Sequence, residues 1–161
     1  MIHCPHGHHE LPPEFILAKP TWHSFSPLLY TALRKFATGV GRKGVNEIHL
    51  RHDLIGDIQL NTDELNNMSK LRFHALIAHM DNRDGTRKVG YWLLTRRGSQ
   101  FLKGNISIPR RVKTLDDHVI EHSVEHITNR DLPGLPPIDL SYEIVDGGAL
   151  YRTPKQQTLA I

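Results

Sequence analysis

Apolar residues recur at three- and four-residue intervals at Phe25, Leu28, Leu29, Ala32, Leu33 and Phe36. This spacing predicts an amphipathic helix over 24–37. Ser24 or Ser26 can cap it, Pro27 fits its first turn, and Gly39 and Gly41 should end it. Val45 to Leu50 alternates as a short strand does, whereas His52 to Leu60 has no clear period and Gly56 marks a break or turn. Thr62 or Asp63 reads as the N-cap of a second helix, with Glu64 at its positive end. That helix should run to about Ile77 and bury Leu65, Met68, Phe73, Leu76 and Ile77. Its other arc would then present Asn66, Asn67, Lys70 and His74. Arg72 falls among the apolar positions, so its stem should pack while its head escapes to solvent, unless the register differs.

Farther on, Asp84-Gly85 between strand-like residues predicts a hairpin, with Val89 to Leu94 as its return strand. Thr95 can cap a short helix from Arg96 to Lys103 that stops at Gly104. Ile106 and Ile108 suggest another strand, placed at an edge by Pro109. Residues 115–128 fit either a helix, with Val119/Ile120, Val124 and Ile127 inward, or an extended strand. Asp131 to Pro137 reads as a linker, and Ile138–Val145 with Ala149–Arg152 as a hairpin around Asp146-Gly147-Gly148.

Charge sharpens this picture. Residues 1–65 hold six Lys/Arg against seven Asp/Glu, residues 66–113 eleven against two, and residues 114–161 three against eight. A basic middle between acidic flanks suits a segment that contacts nucleic acid. The bland alternative is a solvated surface on which charges cluster. No run of 18 apolar residues occurs, and the start of the chain has no apolar core of a signal peptide. With one cysteine, Cys4, there is no internal disulfide framework, and a reducing cytoplasm is expected.

The segment SKLRFHALIAHM…GYWLLTRRGSQFLKG resembles the winged helix-turn-helix pattern of MarR-like and related bacterial regulators. The likeness rests on Leu76-Ile77 leading into a wing, Leu94-Thr95 ending its return strand, and Gly98 with Phe101-Leu102 opening the next helix. The L-T-x-x-G-x-x-F-L-x-G unit, continued into Ile108-Pro109, also looks like small bacterial and phage proteins built on it. The resemblance covers a quarter to a third of the chain. It implies an α+β fold with a winged-helix core at 23–113, a His/Pro-rich arm at 1–22, and an acidic extension with a β-hairpin at 114–161.

On this reading the helix over 65–77 enters the major groove of double-stranded DNA. Asn66 and Asn67 could pair with adenine, Lys70 could reach guanine or phosphate, and His74 shares their arc. Arg83, Arg87 and Lys88 of the wing would meet the backbone or minor groove. Arg96 and Arg97 occupy a first helical turn that disfavours cations, a conflict that a nearby phosphate would relieve. The DNA reading requires Lys70, Arg87, Lys88, Arg96 and Arg97 to meet on one side.

The twelve histidines form two clusters of interest. Cys4, His6, His8 and His9 are ligand types that zinc prefers, but without a C-x2-C pair a tetrahedral site would need His3 or His23 as well. The related small proteins open with Cys-Pro-x-Cys-Gly, and here the second cysteine is missing. His118, His122 and His126 would line one face if their segment were helical, and HVIEH and HSVEH match the inverted zinc-protease signature. Too little chain follows to supply that enzyme's third ligand. No nucleophile elbow occurs, and Gly39-x-Gly41-x-x-Gly44 lacks the setting of a phosphate loop.

The expectation is therefore a non-enzymatic DNA-binding regulator of a bacterium or phage, dimeric through the helix over 24–37 or the C-terminal hairpin. The alternative is a winged-helix module that binds protein, its acidic C-terminal region serving as partner surface or as a mask over the basic face. A zinc-dependent module organised by the N-terminal cluster is a third reading.

Overall fold

The computed structural model describes residues 19–132, 134, 138 and 140–152. The arm with Cys4, His6, His8 and His9 lies outside the described residues, as does most of the linker expected over 131–137.

Strand β1 (Thr21–Ser24) leads into helix α1 (Pro27–Lys43). Ser26 is the cap, its hydroxyl accepting the Leu29 N–H at 3.3 Å. The helix does not end at Gly39 or Gly41. Side chains crossing it explain both glycines: a Cβ would sit 2.2 Å from Ile58 Cδ1 at Gly39 and 2.9 Å from the Tyr142 ring at Gly41. The terminator is Gly44, whose φ of 77° is left-handed.

After β2 (Ile48–His49), residues Leu50–Asp57 wind as a short π-helix, where the sequence pattern was ambiguous. The long helix expected from 63 to 77 is two pieces, α2 (Thr62–Asn66) and α3 (Met68–Phe73), broken at Asn67. Its cap is neither Thr62 nor Asp63 but Asn61, which forms a reciprocal capping box with Glu64. Helix α3 stops because Ala75 adopts φ of 60°, so Ile77 opens a strand instead of closing a helix.

Strands β3 (Ile77–Asp81) and β4 (Arg87–Leu94) form the hairpin expected at Asp84-Gly85, and β2 joins them in the antiparallel order β2-β4-β3. Helix α4 (Arg96–Leu102) follows directly. Its Thr95 hydroxyl accepts the Gly98 N–H at 3.0 Å and donates to the Ala75 carbonyl at 2.7 Å, while the Thr95 N–H bonds Leu76 O. A Cβ on Gly98 would lie 2.2 Å from Leu76 O, so the helix can approach the preceding turn this closely only with glycine there. This local knot explains why threonine and glycine stand three apart in the motif.

The stretch left open between helix and strand is extended. Strands β5 (Ile108–Pro109) and β8 (His126–Ile127) pair with each other, whereas β6 (Arg111–Leu115) and β7 (His118–His122) join β1 in a three-stranded sheet ordered β1-β6-β7. The turn of β6–β7 is Asp116-Asp117, both at positive φ, 50° and 64°. Strands β9 (Tyr142–Ile144) and β10 (Leu150–Arg152) make the expected C-terminal hairpin in shorter form.

One apolar cluster runs from Phe25 through Leu71, Leu94 and Phe101 to Ile127, Tyr142 and Ile144. The C-terminal hairpin thus belongs to the common core, with Tyr142 Oη donating to Ala37 O at 2.5 Å. Boundaries at 22/23 and 113/114 would cut through β1 and β6. Among the described residues, no helix is long and apolar enough to cross a membrane.

Candidate nucleic-acid interface

Breaking the helix at Asn67 redistributes the residues expected on its outer arc. Asn66 stays exposed, but Asn67 turns its amide back to donate to Asp63 O at 2.6 Å. Lys70 is half-buried and lies toward β1, where its charge adds to burial in lowering the His23 pKa. His74, expected to point outward, is 2% exposed, edge-on to Phe25, with Nδ1 2.9 Å from Lys70 O. Burial comes first in pushing its pKa down.

What the break brings to the surface instead is the series Asn66, Ser69 and Arg72. These three line a cleft of about 330 Å³ between α2–α3 and the β3–β4 hairpin, together with His79, Arg87 and Trp92. Arg72 resolves the conflict in the sequence pattern: its guanidinium lies over the Phe73 ring, 4.7 Å from the centroid, and it reaches the cleft wall. His79 stacks on Trp92 with ring centroids 3.9 Å apart. Its pKa is lowered by burial and then by the charges of Arg87 and Arg72, so both guanidiniums act on one point of the cleft.

Among the described residues, neither Arg72 nor Arg87 forms an ion pair, and the Arg72 Nε is buried without a hydrogen-bond partner. Among the described residues, the one carboxylate on the cleft wall is Asp117, from the β6–β7 turn. Two cations, a hydroxyl and an amide around an open cleft can bind an oxyanion through charge-assisted hydrogen bonds.

The other expected basic residues divide. Arg83 is exposed in the hairpin turn, beside Asp84, whose carboxylate is taken up by Thr86. Lys88 is turned to Glu47 at 2.5 Å and lies over Tyr91. Arg96 is exposed, and Arg97 is half-buried in a second cleft, its Nε donating to His74 O at 3.2 Å. Lys70, Arg87, Lys88, Arg96 and Arg97 therefore do not gather in one cleft, so the condition set from the sequence is not met by these five; of them only Arg87 lines the cleft that Arg72 joins. Ser69 and Arg72 were missed as binding residues; their signal was the i, i+3, i+6 spacing from Asn66 that continues across the helix break.

His118 and His122 stand on β7 and His126 on β8, in different sheets, so the helical spacing of the inverted zinc-protease signature does not form. Among the described residues, no group of three or more His, Cys, Asp or Glu is placed to hold a metal ion. Comparison with protein families, curated proteins and solved structures found no match.

Proposed function

We propose that residues 27–102 form a winged helix and that the chain binds double-stranded DNA as a non-enzymatic regulator. The element order helix, strand, helical turn, helix, strand, wing, strand, with the sheet order β2-β4-β3, supports the fold. The departures are the π-helical turn in place of a second helix and the break at Asn67.

The observation that carries the DNA reading is the cleft where, among the described residues, Arg72 and Arg87 have no ion-pair partner and stand beside Asn66 and Ser69. A backbone phosphate seated between helix and wing would supply the missing anion, with exposed Arg83 available to the next one along. Lys88 and Arg97 contribute less on this reading, because one is paired and the other lines a different cleft.

The test is fluorescence anisotropy of a labelled duplex across a salt series. Binding should weaken steeply with salt, and Arg72→Gln and Arg87→Gln should each flatten the log–log slope by roughly 0.9. Affinity that is flat with salt, or unchanged in both variants, would overturn the reading.

A second reading, a protein-binding module, is favoured by Val89, which stands 81% exposed on the wing strand. An apolar wing residue suits a protein partner better than a phosphate backbone. Val89→Asp should then abolish partner capture while leaving duplex binding unaltered.

A further inference from the structure

We propose that the second cleft is a binding site for a small carboxylate carrying an apolar body. The cleft, of about 460 Å³, opens where the end of α3 meets the start of α4 and strands β5–β8. That volume is in the usual range for small-molecule sites. Its polar side is Arg97, His122 and His126; its apolar side is Phe73, Pro109 and Val112.

Arg97 is the centre of the site. Its Nε is fixed on His74 O at 3.2 Å, which orients the guanidinium and leaves the terminal nitrogens for a ligand. The side chain is half-buried, and among the described residues it meets no carboxylate. Glu125, on the loop before β8, is engaged by Arg110 at 2.8 Å. Among the described residues, the cleft lining contains no Asp or Glu. A desolvated cation without a counter-ion is costly, and a planar carboxylate matches the guanidinium fork with two parallel hydrogen bonds.

The histidines complete the polar side. His126 Nδ1 is 3.3 Å from Ser107 Oγ, which leaves Nε2 for the cleft. His122 stands opposite Val112 in the β6–β7 pairing, so an imidazole and an isopropyl group come from adjacent strands. An imidazole offers at least one N–H whichever form it takes. The apolar wall decides between anions. A phosphate dianion would give up hydration against Phe73 and Val112 and gain only one guanidinium, whereas a monocarboxylate would bury its hydrocarbon there.

The cleft takes Phe73, His74 and Arg97 from the proposed winged helix but none of Asn66, Ser69, Arg72 and Arg87, so it can be tested apart from the DNA reading. It is tested on the full chain by following the histidine side-chain NMR signals during titration with hexanoate at fixed pH and ionic strength, with acetate and inorganic phosphate as comparisons. Hexanoate should shift His122 and His126 saturably and bind roughly tenfold tighter than acetate, as burial of about two methylenes gives. Arg97→Gln should weaken hexanoate at least about tenfold, the loss of a bidentate pair. His126→Ala, at an exposed position, gives a second variant that leaves the core intact, and it too should weaken binding. Absence of a saturable shift, or a hexanoate affinity unchanged in His126→Ala and in folded Arg97→Gln, overturns the proposal. Phosphate binding tighter than hexanoate also overturns it, and would make the cleft a seat for DNA backbone instead.

Discussion

Lys35 Nζ lies 2.8 Å from Glu64 Oε1, in an ion pair whose carboxylate side chain is 1% exposed and whose lysine side chain is 39% exposed. The same oxygen accepts the Asn61 N–H at 2.9 Å, so one buried carboxylate ties α1 to the first turn of α2. Removing the lysine strands the carboxylate; removing the carboxylate frees the cap. Lys35→Ala should cost about 1–3 kcal/mol in urea denaturation, and Glu64→Ala about 2–3 kcal/mol. A double-mutant cycle should show strong coupling, and additive losses would mean the pair is not what joins the helices.

The Thr95–Gly98 knot makes a sharper prediction. Gly98→Ala must displace α4 from the Leu76 carbonyl, and overpacking of this kind costs about 1–3 kcal/mol or more. Thr95→Val keeps the shape but loses both hydroxyl bonds, for about 1–2 kcal/mol. Thermal melts of the two variants check this, and a Gly98→Ala melting point equal to the parent's would refute the close approach.

Ala75 predicts a gain. Its φ of 60° is left-handed, which an L-residue other than glycine adopts at a cost of about 1–2 kcal/mol. Ala75→Gly relieves that strain against a larger unfolded-state entropy, so a net stabilisation of up to about 1 kcal/mol is expected. A destabilised variant would show that the unfolded-state entropy added by glycine outweighs the strain it relieves.

Acid should unfold the protein through its histidines. Burial is the first cause lowering the pKa of His74, His23 and His79 below 6.5 in the folded chain. Between the folded and unfolded values the unfolded chain binds more protons, so stability is full above about pH 7 and declines as pH falls below the unfolded value near 6.5. The melting temperature should drop on acidification, and His74→Leu should flatten part of that drop. An identical pH profile in His74→Leu would assign the loss to other groups.

Much of the local structure was readable because local chemistry decided it. Ser26, Thr95 and the Asp84-Gly85 turn act through hydrogen bonds within a few residues, and each forms where its sequence says. The misreadings came from contacts the sequence order hides. Gly39 and Gly41 looked like terminators because Ile58 and Tyr142, which cross the helix there, are far along the chain. The single helix expected over 65–77 failed because Asn67 bonds Asp63 and Ala75 turns left-handed, choices an apolar periodicity does not record. Shifting that register buried His74 and brought Ser69 and Arg72 to the cleft. The second cleft was invisible, since only strand pairing brings His122 and His126 to the cleft that Arg97 lines.

The sharing of the core by Tyr142 and Ile144 also decides how the acidic-mask idea can be tested. Deleting residues 131–161 would remove core side chains and report unfolding. Asp116→Asn with Asp117→Asn at the β6–β7 turn alters charge beside Arg72 and Arg87 without that damage. Duplex affinity should rise by about two- to tenfold if the turn shields the cleft, and unchanged affinity would exclude shielding.

The pairing of β1 with β6 brings the His23 ring within 2.8 Å of the Thr114 hydroxyl, 91 positions farther along the chain. A ribosome adding about 5–20 residues per second makes that interval roughly 5 to 20 seconds. Throughout it, Trp22 and its neighbours have emerged while the strand they will pair with has not been made. The first of the described strands thus waits longest for its partner, and an unpaired edge during synthesis is where a nascent chain is most open to chaperones or to another copy of itself.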